Sequence, residues 1–529
     1  MKQFKSILLS VLTASILVTA CNPADFGDIN KDPNNPSTAF TNYLFTSAAT
    51  YVPYFVLGSA TNGYDPWQQE WPGYISESKN NQYGPLATTV EYTTVSTIYL
   101  YALRNLKQII EMNEDEDQKS GSNVLAFGSN DNQIAVAKTL SAFYYMSLTD
   151  IIGPICFSEA LKGKSDDIWT PKYDSQDVVY AGLDTMLKEA YAKFNENEDL
   201  SGDADILYGG SVSKWKKFNA SLRMLLAIKM SDVDPANGKT RFAAAYSDGG
   251  MVSNADSFMY TYDDLTWNRL YYWVSPDYSG AGFNAVPNMF IVEQMKALKD
   301  NRMFKYFDIE GYRGARPEDK FPRDSYDSFY GVPFGLSTND AVNAWTSVCC
   351  SINSSLLGMS ATVPVIPAAR VLLVEAEAAA RGWISADAKA LYEAGISASF
   401  DQWGASGADA YIVSEGVAFD SSKAIEQIAI QRWIASYMSD GVEAWADWRR
   451  LDIPKMPVGP GAKDSGNTHY PYRLRFYTDT DVAYNNANYL EAVKMLRGGE
   501  DNTTSRLWWD VEPNWEGVLT EEQCTPPTL

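Results

Sequence analysis

The chain has 529 residues, 45% of them hydrophobic, enough for a large buried core and too many for a disordered protein. Its 43 basic residues face 66 acidic ones, for a net charge of −23. That balance argues against nucleic acid or anionic lipid as a partner, because phosphates require a basic surface.

In chain order, the first element is an N-terminal leader. Lys2 and Lys5 give a basic start, Ile7 to Val18 is apolar apart from Ser and Thr, and Val18-Thr19-Ala20 supplies small residues before Cys21. This is the signal-peptide pattern, and the apolar run is shorter than the about 20 residues of a membrane span. We expect residues 1–20 to be removed and Cys21 to become a lipidated N-terminus, tethering the protein to a membrane. Residues 21–38, polar and rich in Asn, Asp and Pro, read as the tether.

Helices follow. From Val95 the apolar positions Ile98, Tyr99, Ala102, Leu103, Leu106, Ile109 and Ile110 keep a helical period up to an acidic turn at Glu114 to Asp117. A second helix carries Val136, Leu140, Phe143 and Tyr144 and stops at Gly153-Pro154. The pairing repeats with Val179 to Phe194 and Trp215 to Lys229. It recurs with Ala368 to Arg381 and Ala386 to Trp403, and with Ile425 to Met438 leading into Glu443-Ala444-Trp445. The expected class is mostly α, with four helical pairs over about residues 88–150, 176–230, 364–404 and 421–451. Stacked pairs of this size are tetratricopeptide-like, and a plain helical bundle is the alternative. Residues 231–363 and 452–529 show little periodicity and read as a loop-rich lobe within one domain spanning 39–529.

Motifs for chemistry mostly fail. The single histidine, His469, has no G-x-S-x-G partner, and H-E-x-x-H is absent. Gly238-Lys239-Thr240 lacks the earlier glycine of a phosphate loop, since Val233 stands there, and Gly280-Ala281-Gly282 reads as a flexible loop. Asp203/Asp205 and Asp232/Asp234 read as solvated turns because neither completes a calcium loop. Besides Cys21, the chain has Cys156, Cys349, Cys350 and Cys524; one bridge is possible, but not between adjacent Cys349 and Cys350. No catalytic residue, cofactor or metal is expected.

What stands out is aromatic clustering between helices. Tyr64, Trp67, Trp71, Tyr74 and Tyr83 are interleaved with Gln68, Gln69, Asn80 and Asn81. A second cluster holds Trp267, Arg269, Tyr271, Tyr272 and Trp273, and a third Tyr326, Phe329, Tyr330 and Trp345. Aromatic faces stack on sugar C–H surfaces or peptide side chains while amides and Arg supply hydrogen bonds. These residues are the candidate ligand contacts, with core filling as the competing role.

Several segments resemble the SusD/RagB family of outer-membrane lipoproteins. They are Asp28-Ile29-Asn30-Lys31-Asp32-Pro33-Asn34, Leu148-Thr149-Asp150-Ile151-Ile152-Gly153-Pro154-Ile155, Trp169 to Gln176, Trp215 to Arg223, Glu375 to Gly382, and Gln431-Arg432-Trp433 with Gly441 and Trp448-Arg449-Arg450-Leu451. Tyr472-Arg473 and Asn485 to Glu491 are similar to the family's C-terminal segment. The resemblance implies a tetratricopeptide-like core and a surface location. It implies capture of an oligosaccharide or peptide without cleavage, and partnership with a SusC-like TonB-dependent outer-membrane transporter that the protein would cap as a lid. The family's ligand-binding aromatics vary, so it assigns no residue of the three clusters. A surface glycoside hydrolase and a protein-binding helical scaffold are the alternatives.

Overall fold

The computed structural model describes residues 39–56, 67–77, 95–263, 285–311, 316–336, 339–356, 358–461, 470–476, 478–511 and 517–527. The leader, Cys21 and the tether lie outside them. The longer helices are α1 (Thr41–Ala49), α2 (Arg104–Glu114), α3 (Asn130–Ile152), α4 (Gln176–Lys193), α5 (Val212–Ile228), α6 (Pro235–Asp248) and α7 (Met289–Ala297). They continue with α8 (Ala368–Ala380), α9 (Ala388–Gln402), α10 (Ala424–Ala435), α11 (Gly441–Leu451) and α12 (Thr478–Lys494). Helices α2/α3, α4/α5, α8/α9 and α10/α11 are four successive pairs that stack through α3 on α4, α5 on α8 and α8 on α10. The core is mostly helical, as the periodicity indicates.

Helix ends follow local chemistry. Helix α8 stops at Gly382, whose φ of 69° suits a residue without Cβ. Asp387 caps α9 by accepting the N–H groups of Lys389 and Ala390, and Asp440 caps α11 through Val442 and Glu443. Gly441 serves a different need: a Cβ there would collide with the carbonyl of Gln68, so the start of α11 can lie on the Trp67–Glu70 turn only with glycine. Helix α2 is preceded by a continuous π-type stretch, Ile98–Leu103, that leaves Leu100 and Tyr101 about half exposed.

Helices α6, α7 and α12 appear where the sequence suggested irregular chain. Gly238-Lys239-Thr240 lies inside α6, so it is no phosphate loop, and α7 begins at an Asn288 cap. The lobe adds three antiparallel two-stranded sheets. β1 (Ile75–Glu77) pairs with β3 (Ala285–Pro287), β2 (Phe258–Thr261) with β6 (Thr362–Ile366), and β4 (Phe307–Gly311) with β5 (Cys350–Ile352). The four described cysteines are free thiols.

Helix α1 is seated directly in the core. Thr41 donates its N–H to Asn123 (3.1 Å) and its hydroxyl to Val124 (2.6 Å), and Tyr144 donates its hydroxyl to the Ala48 carbonyl (2.6 Å). Phe45 stacks on Phe127 with ring centroids 4.5 Å apart.

The pairs meet on a buried ionic network. Arg450 of α11 clasps Glu377 of α8 with two bonds of 2.7 and 2.8 Å, and Arg432 of α10 reaches the same carboxylate at 2.7 Å. Asp447 pairs with Arg370, with Arg432 at 2.9 Å and with Arg450 at 3.4 Å. Lys229, just past α5, bridges Glu443 of α11 to Asp150 of α3, the latter at 2.6 Å. Asp150 also accepts from Tyr180 (2.6 Å) and Trp509 (2.9 Å). Four carboxylates (Asp150, Glu377, Glu443, Asp447) thus face four cations (Lys229, Arg370, Arg432, Arg450), all buried. Burial alone would raise the Glu377 carboxyl, but Arg450 and Arg432 hold it well below the ordinary 4.5.

Asp205 is also buried, which corrects its reading as a solvated turn. Its carboxylate accepts the Trp215 indole N–H (2.8 Å) and the backbone N–H groups of Leu207, Tyr208 and Gly210.

Two predictions follow from these charges. Glu377→Gln leaves Arg450 and Arg432 buried with half their partners and should cost about 3–5 kcal/mol of unfolding free energy by urea denaturation at pH 7. Because the folded carboxyl titrates below the unfolded one, this contribution is present above about pH 4.5 and fades on acidification, so the gap between variant and wild type should narrow there. Glu375, two positions earlier on α8, is buried without a charged partner among the described residues, and desolvation pushes it up to about 7. Here the folded state holds the proton longer, so stability falls as pH rises from about 4.5 to about 7. Glu375→Gln should therefore melt higher than wild type at pH 8 and equal it at pH 4.

Candidate functional site

The three aromatic clusters have different structural positions. Trp67, Trp71 and Tyr74 are buried to 1%, 1% and 0% exposure. Trp71 packs on Trp67 (5.0 Å between centroids) and on Trp445 of α11 (4.8 Å). Tyr74 lies over Trp433 of α10 (5.5 Å) and donates its hydroxyl to the Trp433 carbonyl at 2.6 Å. Burial pushes that hydroxyl well above the usual tyrosine range. These three residues therefore fill core in the present structure and present no face to a ligand. The interleaved amides serve the same end: Gln68 donates to the Tyr54 carbonyl (3.0 Å) and Gln69 to those of Val56 (2.6 Å) and Ser439 (2.8 Å).

Tyr64 and Tyr83 lie outside the described residues, as do Trp267, Arg269, Tyr271, Tyr272 and Trp273, the Gly280 to Ala285 motif except its last residue, and His469. The attachment points of their segments are described. Glu77, where residues 78–94 begin, is the register partner of Ala285, where residues 264–284 end. Residues 57–66 run between Val56 and Trp67, which the Gln69 bond to Val56 holds close to the same turn. The buried Trp67, Trp71 and Tyr74 thus support the base from which the aromatic-rich segments depart.

In the third cluster Trp345 is buried (5%) and donates its indole N–H to the Cys524 carbonyl at 2.7 Å, again a packing role. Tyr330 is half-buried with the Lys296 ammonium 4.6 Å above its ring. Tyr326 is half-buried, rests on Phe304 (5.0 Å) and donates to the Lys299 carbonyl (2.9 Å) and to Asn301. It edges an open groove of about 610 Å³ whose polar lining includes Asn301, Ser414 and Glu415. Ser414 and Glu415 are consecutive in one turn and Asn301 lies in another, and nothing in the sequence spacing marks the two turns as neighbours.

This stack of helical pairs carrying a loop-rich lobe defines a tetratricopeptide-like binding scaffold. The chain belongs to the SusD-like family: the family model described as "Starch-binding associating with outer membrane" matches residues 33–477. No curated protein matches it. Among solved structures it is similar to a chitin-binding SusD homologue from Flavobacterium johnsoniae, at 25% identity and a TM-score of 0.70, covering 89% of this chain and 100% of that one. It is also similar to a SusD homologue from Bacteroides uniformis, at 25% identity and a TM-score of 0.74 over 89% and 100% of the two chains. A further chitin-binding protein matches at 25% identity and 0.72 over 89% and 98%. No described helix is long and apolar enough to cross a membrane.

The burial assigns Trp71 to stability. Trp71→Ala should lower the unfolding free energy by about 3–5 kcal/mol, read by chemical denaturation.

Proposed function

We propose that this protein is a lipid-anchored, outward-facing receptor of the outer membrane that captures an oligosaccharide and does not cleave it. Family membership is the observation that carries this reading, and chitin binding in two similar structures supports a carbohydrate as ligand. The aromatic residues left for the ligand are Tyr64, Tyr83, Trp267, Tyr271, Tyr272 and Trp273, with Arg269 as a hydrogen-bond donor. Their segments leave the scaffold beside one another at Glu77, Ala285 and the Trp67 turn. Indole and phenol rings at such a base stack on sugar faces, and Arg and Asn bind hydroxyls.

The partner is a SusC-like TonB-dependent transporter. In this reading Cys21 carries the lipid that holds the protein at the membrane, and the body closes over the barrel once the glycan is bound. Release into the pore requires moderate affinity, because tight binding prolongs residence.

Calorimetric titration with chitin and starch oligosaccharides tests the ligand. Binding without product formation, weakened about tenfold or more by Trp267→Ala or Trp273→Ala with an unchanged melting temperature, is the expected result. Cleavage abolished by a single Asp or Glu substitution would replace this reading with that of a hydrolase. Pull-down of the tagged full chain from detergent-solubilised outer membranes should recover a large β-barrel protein with Cys21 intact.

A further inference from the structure

A second cavity has a chemistry unlike a sugar surface. It lies where the stretch leading into α2, the segment after α3 and residues 475–476 meet, with a volume of about 270 Å³. Its walls are apolar: Val95, Ile152, Ile155, Ala160, Leu161 and Phe476 all contribute. The walls are also braced. Tyr99 donates its hydroxyl to the Cys156 carbonyl at 2.6 Å, and Tyr173 meets Phe476 edge to face at 5.4 Å.

Among the described residues one charge lines this cavity. Arg475 is half-buried, and the Nε of its guanidinium is buried without a hydrogen-bond partner. No carboxylate pairs with it among the described residues. Asp501, on the same side of the fold, is already occupied by Arg473 (2.7 Å), the Phe476 N–H (3.0 Å) and the Tyr489 hydroxyl (3.1 Å). An apolar cavity with one uncommitted guanidinium suits an apolar body that ends in an anion, since Arg binds carboxylates through paired N–H donors.

We propose that this cavity is a binding site for a small amphipathic carboxylate, its hydrocarbon portion inside and its carboxylate on Arg475. The volume sets the size. At about 270 Å³, with apolar walls, the cavity suits a short acyl chain or a single-ring acid. The proposal does not depend on the assignment of the aromatic segments to the oligosaccharide.

The test uses the mature full-length chain and two probes of equal chain length, octanoate and 1-octanol, titrated by calorimetry. Octanoate should bind at least tenfold more tightly than the alcohol, a charge-assisted hydrogen bond being the difference. Arg475→Met should remove that preference while leaving the alcohol's affinity unchanged, and Arg475→Lys should keep part of it. Ala160→Phe, which fills the cavity, should abolish both. Because Arg475 makes no described hydrogen bond or ion pair, its variants keep the test decisive even where Ala160→Phe fails to fold. Equal affinity for the two probes, failure of both to bind the wild type, or octanoate binding unaltered in Arg475→Met would overturn the proposal.

Discussion

The fold turns on the buried pairing of Glu377 with Arg450 and Arg432. Through Asp447, Arg370, Glu443 and Lys229 the same chain of charges reaches Asp150, so it touches α3, the end of α5, α8, α10 and α11. Each helical pair therefore contributes at least one charge. A repeat scaffold ordinarily holds each pair only to its neighbours. Here partners stand as far as 214 residues apart in sequence, and removal of one charge leaves others uncompensated several helices away. Hydrophobic burial supplies the bulk of the stability, while the charges fix which pair sits against which.

That arrangement gives meaning to the aromatic residues beside it. Trp433 and Trp445 lie on the same two helices as Arg432 and Asp447, and they receive Tyr74, Trp67 and Trp71 from the segment that leads into β1. The indole N–H of Trp433 donates to the Pro72 carbonyl at 2.6 Å. The ionic core sets the positions of two tryptophans, and the tryptophans position the strand pair from which residues 78–94 and 264–284 depart. The strand pair is thus oriented by the ionic and aromatic core of the helical pairs.

Much of this was legible in the sequence, for identifiable reasons. The four helical pairs show because apolar positions recur at helical spacing and because Gly153, Gly382 and Gly404 stop their helices. Helix α6 escaped notice because Pro235, Asn237 and Gly238 stand in its first turn, where a capped helix tolerates them but where they also resemble a loop. Trp67, Trp71 and Tyr74 looked like ligand contacts because aromatic residues interleaved with amides have the same composition in a sugar site and in a core that hydrogen-bonds backbone carbonyls. Only burial separates the two. The ionic network was invisible for a related reason: Glu377, Arg432 and Arg450 sit at positions that a single helix read alone would assign to a solvated face.

The seating of α1 has a mechanical consequence. Asn123 grips the chain from both sides, donating to the Ala39 carbonyl (2.9 Å) and accepting the Thr41 N–H (3.1 Å), while Thr46 donates to the Ala204 carbonyl (2.8 Å). A pull on the chain upstream of Ala39 is met at once by several bonds loaded together, some of them reaching as far as residue 204. Helix α1 therefore does not peel away turn by turn under load. Force applied at Ala39 moves α1 together with the scaffold around Asn123 and Ala204.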